Sequence, residues 1–145
     1  MRILSINLMM VALITSVLAH AGHDHGTVAP PMVKPSPSSD HPSISGRLFE
    51  VVLERCDADK VNFYISDNQT NQPIEGAQIA VLVSGDITLK SKAEASKSPG
   101  VYVLPITVNE GKKVTIELKI TTPKMSETLS LIIPQWPKAI GNCTS

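Results

Sequence analysis

Short runs in which hydrophobic and polar residues alternate cover most of the second two thirds of the chain. Val61, Phe63 and Ile65, for example, alternate with Asn62 and Tyr64. A period of two is typical of β-strands, and the spacing of the runs is typical of an all-β domain. The sequence therefore predicts an immunoglobulin-like β-sandwich of about seven strands, at residues 48–53, 61–65, 77–83, 88–92, 101–107, 114–121 and 127–133.

Turn-forming residues separate these runs. Asn109-Glu110-Gly111 precedes the sixth predicted strand and is a hairpin signal. Pro105 lies in the fifth run, and because proline cannot donate to a strand ladder it predicts an edge position or a bulge.

The N-terminal region has the features of a secretory signal peptide. A run of mostly apolar and small residues without charge follows Arg2 and extends to Ala19. A small-x-small site follows, so we predict a signal peptide at residues 1–21, with cleavage between Ala21 and Gly22 and a second possible site after Ala19. The alternative is an uncleaved membrane anchor, for which the run is slightly short. The mature protein is expected in the periplasm, with membrane contact only through partners or an uncleaved signal.

The composition changes after the apolar run. Residues 22–46 contain five prolines, several serines and three of the four histidines, with little apolar periodicity. This composition predicts a disordered tether. The sandwich domain is then expected at residues 47–134, followed by a C-terminal tail at residues 135–145.

Composition and charge exclude several function classes. Aromatic residues make up 3% of the chain, and 13 basic residues balance 13 acidic ones, so nucleic-acid binding is not expected. The predicted domain holds no histidine, which leaves no Ser-His-Asp or Cys-His arrangement. Its carboxylates Glu50, Glu54, Asp57 and Asp59 are interpreted as surface charges. The sequence therefore predicts a protein that is not an enzyme.

Cys56 and Cys143 are the only two cysteines of the chain. In an exported protein an even pair is most simply a disulfide. That bridge brings the tail back to the turn between the first two predicted strands and packs Trp136 against the sandwich. The alternative is a pair of soft metal ligands, although their wide spacing is unusual for such a site.

Five stretches together carry a likeness to a known family. They are residues 19–26 (AHAGHDHG), 46–52 (GRLFEVV), 63–65 (FYI), 70–79 (TNQPIEGAQI) and 98–102 (SPGVY). In order and spacing they resemble the N-terminal domain of the periplasmic adaptor, or membrane-fusion, subunits of heavy-metal efflux pumps of the resistance-nodulation-division class. Such adaptors continue through further domains that dock the pump and the outer-membrane channel. The resemblance therefore implies a free-standing copy of the first domain, with pump components as partners.

The histidines are the candidate metal ligands. Cleavage after Ala21 leaves the new amine beside His23, Asp24 and His25, and these groups can gather around one copper, zinc, cobalt or nickel ion. Cleavage after Ala19 instead makes His20 the first residue, which can hold copper through its amine and its ring. His41 lies further along the predicted tether and completes the candidate set.

These observations predict a periplasmic accessory protein of heavy-metal efflux that binds or passes on divalent ions through its N-terminal histidine segment. The alternative is a β-sandwich interaction module that binds no metal and docks on a pump or envelope protein through an edge strand.

Overall fold

The structure, a computed structural model, describes residues 29–141 and Cys143. The predicted signal peptide and residues 22–28 lie outside this range. His20, His23, Asp24 and His25 are therefore not among the described residues.

Eight β-strands form the described part of the chain, and every pairing between them is antiparallel. The strands run in the spatial order β1-β2-β3-β6-β5-β4-β7-β8. None of the residues described forms a helix that is long and apolar enough to cross a membrane. The strand bounds are β1 Ser43–Ser45, β2 Phe49–Asp57, β3 Lys60–Asp67, β4 Gln78–Gly85, β5 Leu89–Ala95, β6 Val101–Pro105, β7 Val114–Thr121 and β8 Ser126–Ile133.

The sheet folds over on itself into two layers, and β5 belongs to both. Residues 89–93 of β5 pair with β4, whereas Glu94 and Ala95 pair with β6. The two end strands, β1 and β8, lie beside each other, so the layers are also close at the opposite side. The predicted all-β sandwich is confirmed.

Alternation of buried and exposed residues explains why β4, β7 and β8 form one layer. β7 buries every second residue, Val114, Ile116, Leu118 and Ile120, and exposes Glu117 and Lys119 between them. One face of such a strand packs on the core and the other faces solvent.

β2 and β3 differ because they are buried on both faces. All residues from Val51 to Cys56 and from Val61 to Ser66 are buried. Their inner face packs in the main core, and a second apolar cluster of Met32, Val52, Tyr64 and Val101 covers part of the outer face. Chain segments outside the strands must therefore cover this face.

One of these segments is the strap, which we define as residues 29–42. The prediction that residues 22–46 are disordered is wrong for its described portion. Met32 is only 8% exposed, its amide donates to the Asn71 carbonyl (2.8 Å), and Ser43–Ser45 forms β1. The segment has few apolar residues of its own, but it is ordered because it covers apolar residues of another element. β1 is also why the structure has eight strands rather than about seven.

The turn signal at Asn109–Gly111 does not form a hairpin. β6 lies in one layer and β7 in the other, so residues 106–113 cross between the layers. Pro105 is the last residue of β6, which has neighbours on both sides, rather than part of an edge strand.

Glu127 of β8 closes the gap between the two end strands. Its carboxylate accepts the backbone N–H groups of Arg47 (2.8 Å), Leu48 (3.0 Å) and Phe49 (3.0 Å). Gly46 leaves room for it, because a Cβ there would lie 2.5 Å from Glu127 Oε2. The carboxylate thus satisfies backbone donors that no strand partner reaches.

Replacing Glu127 by glutamine is expected to flatten the acid side of the pH–stability curve. Burial alone raises the pKa of Glu127, but the three backbone donors outweigh it and hold the pKa below its ordinary value. Such a group contributes stability that is complete above the unfolded-state pKa and is lost as pH falls through the folded-state pKa.

Urea unfolding from about pH 5 to pH 3 covers that window. The wild type should lose more stability across it than Glu127→Gln. The exposed Glu117→Gln on β7 is the matched control and should follow the wild type. Equal losses in all three proteins would contradict the role assigned to Glu127.

Candidate functional site

The strap is bound to the outer face of β2 and β3 by polar as well as apolar contacts. Lys34 Nζ donates to Glu50 Oε2 (2.5 Å) and to Ser66 Oγ (2.7 Å). The Leu53 amide donates to the Pro42 carbonyl (2.8 Å) at the other end of the strap. Both ends of the strap are therefore held against the sheet.

A groove of about 630 Å³ lies between the strap and the described part of the C-terminal tail. Ala29 and Pro30, the first described residues, lie along it, and the tail contributes Ile140 and Cys143. The sheet contributes Glu54 and Tyr64. Residues of the strap, of the C-terminal tail and of β2 therefore line the same groove, and the β2 residue is polar.

Glu54 is this polar residue of β2. The prediction that it is a surface charge is wrong, because its side chain is buried. The residue is 8% exposed. Its Oε2 accepts the hydroxyl hydrogen of Tyr64 (2.6 Å), and its Oε1 lies 3.6 Å from His41 Nε2. A buried carboxylate needs such partners to offset the loss of water.

The Tyr64 hydroxyl keeps its proton over the whole physiological pH range. Burial, followed by the hydrogen bond to Glu54 and the negative charge of that carboxylate, raises the pKa of Tyr64 to about 12. Tyr64 is therefore a permanent donor that fixes the orientation of the Glu54 carboxylate.

His41 is the one histidine in the range that the structure describes. Its Nδ1 lies 3.3 Å from Ser38 Oγ, and the same Oγ accepts the His41 backbone N–H (3.1 Å). The backbones of Ser38 and His41 also pair with each other in both directions. This tight turn orients the ring so that Nε2 faces Glu54.

The predicted disulfide between Cys56 and Cys143 is confirmed, with their Cα atoms 5.0 Å apart. Backbone bonds align the tail beside it, from the Ile140 amide to the Arg55 carbonyl (3.1 Å) and from the Gly141 amide to the Cys56 carbonyl (3.0 Å). The bridge places Cys143 Sγ 3.1 Å from Glu54 Oε2.

Metal-ligating residue types come together at this bridge. Within the described residues, Glu54, Cys56 and Cys143 are the group of three whose ligand atoms all lie within 4.8 Å of one another. Disulfide sulfurs are not thiolates, and the thiolate is the form that binds metal. In the oxidised protein the donors here are therefore Glu54 and His41.

Asn62 adds an unused polar group to the same face. It is fully buried, and neither atom of its side-chain amide has a hydrogen-bond partner among the described residues. Asn62 lies directly opposite Glu54 in the β2–β3 ladder, and side chains of paired residues share a face of the sheet. A buried amide without a partner costs free energy, and Asn62 is not among the residues that line the groove.

The structure places the predicted site residues in two groups. It brings His41, Cys56 and Cys143 to the position of Glu54, whereas His20, His23, Asp24 and His25 lie outside the described residues. The sequence pattern indicated a surface charge at Glu54 and no functional role for Tyr64 or Ser38. The available signal was the apolar setting of Glu54 and Tyr64 within β2 and β3, because a strand that is apolar on both faces has its polar residues enclosed.

Comparison of the chain with protein-family models, with curated proteins and with solved structures finds no match to any of them.

Proposed function

We propose that this chain is an exported, periplasmic accessory protein of heavy-metal efflux. It holds or passes on divalent ions through the N-terminal segment that carries His23, Asp24 and His25, or His20 if cleavage occurs after Ala19. It acts as a binding protein rather than an enzyme, and its partners are components of a heavy-metal efflux pump.

One observation carries the metal-binding part of this proposal: the first described residue, Ala29, lines the same groove as the buried carboxylate of Glu54. Glu54 faces His41 at 3.6 Å. Ala29 is four positions after His25 in the sequence, which limits the distance between their Cα atoms to about 14 Å. Glu54 and His41 are thus oxygen and nitrogen donors within the described residues that a metal held by this segment could share.

The donor set agrees with the proposed cargo. Imidazole nitrogen suits zinc, copper, nickel and cobalt, and a carboxylate supplements it. Ser38 Oγ accepts the His41 backbone N–H and so caps a turn that holds the imidazole beside Glu54.

Calorimetric titration of the oxidised mature protein with Zn²⁺ or Cu²⁺ tests the proposal. The wild type should bind with a dissociation constant on the order of 1 μM, and the variant with both His23→Ala and His25→Ala should bind at least about tenfold more weakly. Thr27→Ala, in the same segment, is the matched control and should keep the wild-type affinity. Unchanged binding by the double histidine variant would overturn the proposal.

A docking module is the second candidate, and two exposed apolar side chains favour it. Val33 is 92% exposed and Ile140 is 48% exposed, and both lie along the groove. Exposed apolar residues around a groove are typical of a docking site. Under this alternative the wild type takes up no metal, and Val33→Asp weakens binding to a pump component, whereas the histidine variant does not.

A further inference from the structure

We propose that reduction of the Cys56–Cys143 disulfide creates a metal site on the outer face of the sandwich. The two cysteine thiolates, the Glu54 carboxylate and the His41 imidazole together bind one thiophilic divalent ion such as Zn²⁺. This site uses none of the N-terminal histidines, so it is independent of the proposed function.

The donor atoms already lie at distances close to those of a metal site. The ligand atoms of Glu54, Cys56 and Cys143 are within 4.8 Å of one another, and His41 Nε2 is 3.6 Å from Glu54 Oε1. In tetrahedral zinc sites two nitrogen or oxygen ligands are about 3.4 Å apart, and two thiolates are about 3.8 Å apart. The two sulfurs separate when their bond breaks, and His41 Nε2, which lies outside this group of three, must also move closer to the sulfurs.

The chemistry of the set matches zinc and related ions. Two thiolates, one imidazole and one carboxylate are all regular zinc ligands, and four of them complete a tetrahedron. Thiolates also select against the hard cations magnesium and calcium. The site therefore takes the same class of ion as the proposed N-terminal segment.

Further contacts orient the ligands as they do in metal proteins. The Tyr64 hydroxyl donates to Glu54 Oε2 (2.6 Å), and Ser38 Oγ lies 3.3 Å from His41 Nδ1. Ligating histidines and carboxylates are usually held through their other polar atom in this way. His41 Nε2 and Glu54 Oε1 therefore face each other before any ion is present.

The groove supplies the entry path. Glu54 and Cys143 both line it, and Cys143 is half-buried whereas Cys56 is fully buried. A reductant in the groove thus reaches Cys143 Sγ first. The buried Cys56 thiolate is the leaving group in that attack.

The reaction is a thiol–disulfide exchange followed by metal binding. A dithiol reductant transfers two electrons and two protons to the Cys56–Cys143 bond, which breaks, and the reductant becomes a disulfide. The two thiols then release two protons as their sulfurs bond to the ion. The tail is therefore linked to β2 in both states, by the disulfide in the oxidised protein and by the ion in the reduced protein.

Cobalt(II) is the probe, because thiolate ligation gives a thiolate-to-metal charge-transfer band and tetrahedral geometry gives strong visible bands. The protein is the full mature chain with His23→Ala and His25→Ala, reduced with a phosphine and desalted without oxygen. One equivalent of Co²⁺ should produce both sets of bands in the reduced protein, and the oxidised protein should give no charge-transfer band. Zn²⁺ should then displace the cobalt.

Variants identify the ligands in the same assay. Glu54→Gln and His41→Ala should each weaken Co²⁺ binding at least about tenfold, and Tyr64→Phe about tenfold through loss of orientation. Glu117→Gln changes an exposed carboxylate on β7 that does not line the groove, so this variant should bind as the parent does. Equal affinity in Glu54→Gln, His41→Ala and the parent would overturn the assignment.

Circular dichroism of the same samples covers the case in which the reduced chain unfolds. Added Co²⁺ or Zn²⁺ should then restore the β-sheet spectrum, because binding is coupled to folding. A reduced protein that shows neither a charge-transfer band nor metal-induced refolding would overturn the proposal. That result would leave the N-terminal site untouched, since it is measured in the oxidised protein.

Discussion

Replacement of both Cys56 and Cys143 by alanine should lower the free energy of unfolding by about 4 kcal/mol. The disulfide joins residues 87 positions apart, and a bridge across so long a loop removes much of the conformational freedom of the unfolded chain. It also holds the tail that covers the outer face of β2. Denaturant unfolding followed by fluorescence of Trp136, which is 1% exposed in the folded state, measures the change.

The wild type in reducing buffer with a metal chelator is the internal control, because it lacks the bridge but keeps both sulfurs. Its unfolding midpoint should match that of the double variant. A double variant as stable as the oxidised wild type would show that the tail is held by its other contacts, such as the hydrogen bond from Arg55 Nη1 to the Pro137 carbonyl (2.7 Å).

Replacement of Trp136 by alanine should lower the free energy of unfolding by about 3–5 kcal/mol. Trp136 belongs to the main core although it lies after the last strand. Its amide donates to the Lys112 carbonyl (2.7 Å), and its carbonyl accepts the Gly111 amide (3.0 Å). The side chain therefore fills the end of the sandwich where residues 106–113 cross between layers, and truncation leaves a cavity there.

Ile132 provides the matched control because it lies four residues earlier and is 60% exposed on β8. Ile132→Ala should change the stability by no more than about 0.5 kcal/mol. Circular dichroism at increasing urea concentration measures both variants, since the tryptophan signal is lost in one of them. Similar small effects at both positions would show that the indole contributes little to the core.

The strands with one exposed face are the elements that the sequence predicts best. Ile79, Val81 and Val83 of β4 and Leu129, Leu131 and Ile133 of β8 are buried as their alternation indicates. Local pattern suffices here because solvent is the alternative environment for every second residue. The disulfide was also predictable, since a chain with two cysteines has one simple pairing within it.

The pattern is less informative where the covering element is distant in sequence. The strap has no regular spacing of hydrophobic residues, because Met32 is its one residue in the apolar cluster with Val52, Tyr64 and Val101. The sequence around Glu54 indicates a surface charge, because the strap and the tail that cover this side chain are distant in sequence. Its partner His41 is 13 positions away and Cys143 is 89 positions away, so no local motif connects the three.

The sequence by itself determined the all-β class, the strands of the exposed layer and the disulfide. Only the tertiary structure decided the pairing order of the strands, the crossing at residues 106–113 and the enclosure of Glu54 with His41 and Cys143. The physical reason is the range of the interactions. Hydrophobic alternation and turn signals reflect interactions between neighbours in the chain. Strand order and the burial of an outer sheet face depend instead on contacts between segments far apart in sequence, which bury apolar area against each other.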